Sequence, residues 1–225
     1  KEFKKNNLVN HIILLNELDA SQLSKDIIKY LATIDIEKGS EVLAAKLSTK
    51  IARYDFAIQV SKQASYQKRF YNRFNYPIIT VPRKVNNKEM PKPELILAII
   101  RQESEFDLKA NSYVGARGMM QLMKYTAKLV AKQAKLPYSL SRLTKDPEYN
   151  IKLGSYYLYP FAIAAYNAGP NRVKTWRKIN GDPSKGQLSY VDWIELIRFK
   201  ETRNYVQRVL ENANVYKYMI SGFTN

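Results

Sequence analysis

Pro93-Glu94-Leu95-Ile96-Leu97-Ala98-Ile99-Ile100-Arg101-Gln102-Glu103-Ser104 is the stretch whose reading decides how this chain folds. Its apolar body, 95–100, fits a buried strand or a buried helix, because periodicity cannot separate the two in so short a run. The ends separate them. Pro93 and Glu94 suit a first helical turn, where proline forfeits only an N–H that has no intrahelical partner, and Arg-Gln-Glu-Ser makes a polar helix end. The stretch therefore predicts a buried helix that carries Glu103 near its close. Ile99 and Ile100 precede Glu103 by four and three residues, so they share its face; they would desolvate the carboxyl and raise its pKa. A carboxyl still protonated near neutrality can act as a general acid. The plainer alternative is a solvated helix end.

Outward from this helix almost nothing reads as strand. Upstream, Ser21 is a candidate N-cap for Leu23, Ile27, Ile28, Leu31 and Ile34, and Ser40 opens Val42, Leu43, Leu47 and Ile51, all at helical spacing. With 11–18 before and 53–64 after, the front reads as short helices joined by tight turns, the pattern of an α-solenoid. Tyr76-Pro77, Val81-Pro82 and Met90-Pro91-Lys92-Pro93 then break the register and mark a connection. Two domains are expected, a helical segment over 1–90 and a second domain over 91–225. In the second, Gly115 and Gly118 punctuate a loop, residues 119–133, 150–158 and 161–167 read as helices, Gly169-Pro170 stops the last of them, and 191–219 is helical again. The fold class is all-α.

At 225 residues and 26.1 kDa, with 45% hydrophobic content, the chain can build a sizeable core. It has no Cys, which removes thiolate nucleophiles, disulfides, Cys-zinc sites and iron–sulfur clusters. Its one His, His11, lies in an aliphatic run and reads as a helix-face residue rather than a catalytic base or ligand. Carboxylate, hydroxyl, amine and phenol chemistry remain. Lys and Arg number 37 against 20 Asp and Glu, a net charge of +17, which implies an acidic partner: nucleic acid, anionic lipid or an anionic polymer. No apolar run approaches the roughly 20 residues that span a bilayer. Lys1-Glu2-Phe3 has neither a start Met nor a signal-peptide pattern, so a processed or incomplete front is expected.

Ala98-Ile99-Ile100-Arg101-Gln102-Glu103-Ser104 resembles the Glu-Ser motif of the soluble lytic transglycosylases, enzymes that cut bacterial peptidoglycan. Three further blocks follow in the family's order. Asn111-Ser112-Tyr113-Val114-Gly115-Ala116-Arg117-Gly118-Met119-Met120-Gln121-Leu122-Met123 resembles its glycine loop and Met-Gln-Leu-Met helix, Ala164-Ala165-Tyr166-Asn167-Ala168-Gly169-Pro170 its Ala-Tyr-Asn-Ala-Gly-Pro motif, and Glu201-Thr202-Arg203-Asn204-Tyr205-Val206 its closing Glu-Thr-Arg block. The approach Tyr71-Asn72-Arg73-Phe74-Asn75-Tyr76-Pro77 is loosely similar to the helical superhelix that precedes the family's catalytic domain.

The resemblance implies a goose-type, lysozyme-like catalytic domain preceded by part of a superhelix, a periplasmic location, peptidoglycan rather than nucleic acid as partner, and no cofactor or metal. It implies Glu103 as the single catalytic acid, with Ser112 facing it. Gln121 and Met123 would line the groove, Tyr157, Tyr166 and Asn167 would lie near the acid, and Glu201 and Tyr205 would make polar contacts. It also implies a non-hydrolytic cut in which the muramic acid's own C6 hydroxyl closes a 1,6-anhydro ring. Hydrolysis with Glu201 or Asp107 as a second carboxylate, and a non-catalytic basic binding module, remain the alternatives. Gly115 and Gly118 are expected to serve the turn rather than the ligand. Two departures stand out. Lys124 replaces a common proline, which leaves the helix longer or straighter. Leu158-Tyr159-Pro160-Phe161-Ala162 is shorter than the family's usual path, through a deletion or, the favoured reading, a loop absent from this sequence.

Overall fold

The computed structural model describes residues 2–34, 39–158 and 163–222. The short path expected to matter at 159–162 lies outside the described residues. The chain divides into two compact units. One comprises Lys1–Ile78 with Glu105–Asp107, the other Ile79–Ser104 with Leu108–Asn225.

The first unit is built from α1 (Glu2–Lys5), α2 (Asn7–Glu17), α3 (Lys25–Thr33), α4 (Ser40–Lys50), α5 (Tyr54–Tyr66) and α6 (Asn72–Asn75). Successive helices pack on one another around Ile12, Ile28, Leu31, Ala44, Ala45, Phe56 and Ala57, all fully or nearly fully buried. The small residues of α4 let its neighbours approach; its buried face is Ala44, Ala45, Leu47 and Ser48. Ser21 does not cap α3 as expected. A 3-10 turn at Ser21–Ser24 intervenes, and the Ser21 hydroxyl accepts from Arg53 at 3.1 Å. Arg53 is buried and also binds Gln22 and both oxygens of Asp55, so this charge is taken out of water with its donors used.

The second unit begins with a small hairpin, β1 (Lys84–Val85) and β2 (Lys88–Glu89), in the segment expected to be only a connection. Asn86 and Asn87 turn it with φ of 46° and 65°, the left-handed pair that a two-residue hairpin needs. Then come α7 (Pro93–Ser104), α8 (Lys124–Gln133), α9 (Pro147–Leu158), α10 (Ile163–Ala168), α11 (Pro170–Asn180), α12 (Tyr190–Glu195) and α13 (Lys200–Gly222). The decisive stretch is a helix with the expected bounds, and Ile96 to Ile100 are at most 1% exposed. The long α13 packs along α7, α10 bridges to α13, and α8 and α9 pack around Ala127, Val130, Ala131, Tyr149 and Leu153. Residues 119–123 are not helical. Gln121 has φ +44°, and α8 starts at Lys124, so Met-Gln-Leu-Met is a turn that leads into the helix. Pro170 does more than stop α10, because it occupies the first turn of α11.

Candidate active site

Glu103 sits one residue from the end of α7, over the buried Ile99 and Ile100. The α13 helix, lying alongside, brings the Tyr205 hydroxyl to Glu103 Oε1, to which it donates at 2.6 Å. Burial drives the carboxyl upward, and the Tyr205 hydrogen bond offsets only part of it, so the pKa reaches about 7. Among the described residues no cation is ion-paired or hydrogen-bonded to Glu103.

Two more phenols complete the surroundings. Tyr166 on α10 and Tyr157 on α9 pack ring against ring, centroids 5.4 Å apart at 59°. Burial raises the pKa of Tyr166 well above the ordinary value, and the nearby charge of Glu103 adds to this; Tyr205 is raised by the same causes. These phenols therefore keep their protons throughout the neutral range and act as donors.

The turn that faces them is held at its peptide groups. The Ser104 hydroxyl donates to the Met119 carbonyl at 2.8 Å and the Tyr166 hydroxyl to the Met120 carbonyl at 2.5 Å. From α9, Asn150 Oδ1 accepts from the Met120 N–H at 2.9 Å, while its Nδ2 donates to Leu143 O at 3.0 Å and Arg117 O at 3.1 Å. Gly118 must be glycine: φ is +73°, and a Cβ would lie 2.0 Å from the Leu143 carbonyl oxygen. This agrees with the turn role expected for Gly118.

Of the residues singled out in the sequence, Glu103, Tyr157, Tyr166 and Tyr205 are brought together. Asn167 is tied to α13 through Thr202, whose Oγ1 donates to Asn167 Oδ1 at 2.6 Å. Ser112 is engaged in its own turn, its hydroxyl accepting from Ala116 N at 2.9 Å, with no hydrogen bond to Glu103. The Gln121 amide donates to Gly118 O at 2.9 Å and Ala110 O at 3.3 Å. Met123 is 42% exposed at the N-cap of α8, and Glu201 is exposed in the first turn of α13. The sequence reading missed Asn150. Its signal was an amide at helical spacing with Leu153 and Tyr157, on a stripe otherwise destined for the interior. No group of three His, Cys, Asp or Glu able to hold a metal ion occurs among the described residues, nor is any of their helices long and apolar enough to cross a membrane.

Residues 80–189 match the family model of the transglycosylase SLT domain. The chain is similar to the soluble lytic murein transglycosylase of Escherichia coli, 36% identical over 190 residues, which is 76% of this chain and 29% of that protein. Among solved structures it is similar to the 70 kDa soluble lytic transglycosylase of the same organism, with a TM-score of 0.78 and 30% identity over 98% of this chain and 37% of that one. It is also similar to an inactive mutant of the lytic transglycosylase Slt of Pseudomonas aeruginosa, with a TM-score of 0.75 and 30% identity over 97% of this chain and 36% of that one. The chain thus spans about a third of the length of these relatives or less.

Proposed function

We propose that this chain, which belongs to the soluble lytic transglycosylase family and matches the SLT domain over residues 80–189, is a lytic murein transglycosylase. It cleaves the β-1,4 bond between N-acetylmuramic acid and N-acetylglucosamine in peptidoglycan and leaves a 1,6-anhydro end. The observation that carries this reading is Glu103 itself, a carboxyl whose burial raises its pKa to about 7, held by one phenol and, among the described residues, paired with no cation.

Ordinary glycosidases need two carboxylates, one acid and one nucleophile or base. Here one suffices if the substrate supplies the nucleophile. Glu103, protonated, gives its proton to the glycosidic oxygen; the C1–O bond breaks, and its electron pair leaves with the glucosamine O4. The positive charge left at C1 is shared with the muramic 2-acetamido oxygen. Glu103, now a carboxylate, takes the proton of the C6 hydroxyl as O6 bonds to C1 and closes the ring. The glutamate ends protonated, as it began, and no water is consumed. The raised pKa suits both halves, since a group near 7 is neither too weak an acid nor too weak a base at neutral pH. Tyr205 fixes one carboxyl oxygen and leaves the other to face the substrate. Ser112, Gln121, Met123, Tyr157, Tyr166, Asn167 and Glu201 are assigned to substrate contact.

The charge of +17 favours approach to a polymer whose stem peptides carry carboxylates, and the bacterial periplasm is the compartment where that polymer lies. Digestion of purified sacculi with mass spectrometry of the released muropeptides tests the proposal. Products lighter than reducing-end muropeptides by one water support it. Reducing N-acetylmuramic ends would assign a hydrolase instead, and no release at all would leave a binding module.

A further inference from the structure

The Met120 main chain is gripped at both of the peptide groups that flank its Cα. Its N–H is held by Asn150 and its carbonyl by Tyr166. Asn150 is completely buried and uses both amide hydrogens and its oxygen within the turn, on Leu143 O, Arg117 O and Met120 N. The packing leaves it no slack, because a Cβ at Gly118 would lie 2.3 Å from its Nδ2. One helical turn further along α9, Gly154 makes room for the Met120 side chain, whose sulfur would lie 2.3 Å from a Cβ there. Met120 is thus fixed at its N–H, its carbonyl and its side chain.

We propose that Asn150 is a positioning residue for the general acid: by holding the Met120 main chain in place it keeps the Tyr166 hydroxyl occupied by the Met120 carbonyl and withholds a second phenol from Glu103. This rests on the transglycosylase reading, in which Glu103 must start protonated. The titratable groups that act on the carboxyl are Tyr205 from α13, hydrogen-bonded to it, and Tyr166 from α10, near enough to sense its charge while its hydroxyl is bound to Met120 O; Tyr157 of α9 packs on Tyr166. Tyr205 already donates to Oε1. Each donor added to a carboxylate favours its ionised form. Tyr166 is close enough to feel the Glu103 charge, and once freed from Met120 its hydroxyl would turn to that carboxylate. The acid would then ionise at a lower pH, and less of it would be available at neutrality. Asn150 touches neither Glu103 nor the substrate in this account; it acts through Met120 and Tyr166.

The test is a pair of pH titrations on the full chain in wild type, Asn150→Ala, Tyr166→Phe and the double variant. One follows the initial rate of muropeptide release. The other follows the Glu103 carboxyl by NMR in protein carrying carboxyl-labelled glutamate, assigned with Glu103→Gln. Asn150→Ala is expected to move both midpoints down by about one pH unit, the size of an added charge-assisted hydrogen bond. In the Tyr166→Phe background it should move neither, since no hydroxyl remains to be released. An unchanged midpoint in Asn150→Ala, or an equal drop in both backgrounds, would overturn the proposal and leave Asn150 a brace for the turn. If Asn150→Ala does not fold, Asn150→Ser is read the same way. Failure of wild type to release muropeptides at any pH would overturn the enzymatic reading alone, while the NMR midpoints still decide the Asn150 coupling.

Discussion

Each unit of this protein buries a glutamate against a tyrosine hydroxyl, and the two carboxyls are driven in opposite directions. In the first unit Glu41, its side chain 13% exposed, accepts from the Tyr71 hydroxyl and is paired with Arg69 Nε at 2.7 Å. Burial pushes its pKa up, but the hydrogen bonds from Arg69 and Tyr71 and the Arg69 charge together bring it below the ordinary value. In the second unit Glu103 accepts, among the described residues, from Tyr205 alone, and burial carries it to about 7. A phenol donor is common to both, so it does not set the sign. The cation does: with one at hand a buried carboxyl is a fixed charge, and without one it can hold a proton at neutral pH.

The largest effect expected from breaking this contrast is on turnover. Glu103→Gln keeps shape and an acceptor for Tyr205 but cannot give or take a proton, so muropeptide release should fall about a thousand-fold or more. Circular dichroism and sacculus binding should stay as in wild type. Near-normal release would remove Glu103 from the chemistry.

The same variant should be the more stable protein above neutrality. A folded-state pKa raised from 4.5 to about 7 means that the folded chain holds this proton more tightly than the unfolded one. The stability it lends is complete below pH 4.5, declines above it and is gone above about 7. The difference amounts to roughly 3 kcal/mol across that window. Glu103→Gln escapes this decline, so its Tm should exceed that of wild type at pH 8, with the gap closing towards pH 4. A gap independent of pH would mean that the carboxyl is not desolvated.

How far the sequence reached depends on how local each feature is. The bounds of α7 follow from Pro93 at one end and polar residues at the other, and its apolar run left no choice but burial. Ile99 and Ile100 on its own helix pointed to a desolvated Glu103 with a raised pKa, beside the alternative of a solvated helix end, and burial does raise it; the resemblance named it as the acid. Tyr205, its partner, is 102 residues away, and no spacing rule reaches that far; a resemblance to known relatives brought it into the candidate set. Residues 119–123 misled because their apolar positions fit a helix. Yet Gly118 and Gln121 both turn left-handed, a backbone that an α-helix cannot contain, so the helix starts only at Lys124. The hairpin at Lys84–Glu89 escaped because strands of two residues carry no alternation to detect.

Tyr205→Phe removes the feature the two glutamates share. The lost hydrogen bond was lowering the Glu103 pKa, so the alkaline midpoint of the rate should move above about 7. At the same time the carboxyl loses its anchor, and the rate on the plateau should drop about tenfold. A midpoint that moves down would contradict the assignment of Tyr205 as a donor to the carboxylate.

The smallest effect belongs to the first unit, where Arg69→Gln removes the cation and leaves Tyr71. Glu41 should then behave more like Glu103, with its pKa rising because burial is no longer outweighed. In wild type the lowered pKa lends stability above 4.5, which is lost as pH falls through the folded value. The variant lacks that contribution, so its Tm should be slightly below wild type at pH 6, with the difference narrowing under pH 4.5. Arg69 is half exposed, and water screens the pair, so the change should be well under the one that Glu103→Gln produces at pH 8. Muropeptide release should be untouched. A larger loss of Tm, or one that grows as pH falls, would mean that Arg69 stabilises the unit by packing rather than by its charge on Glu41, and the contrast between the two carboxyls would then rest on burial alone.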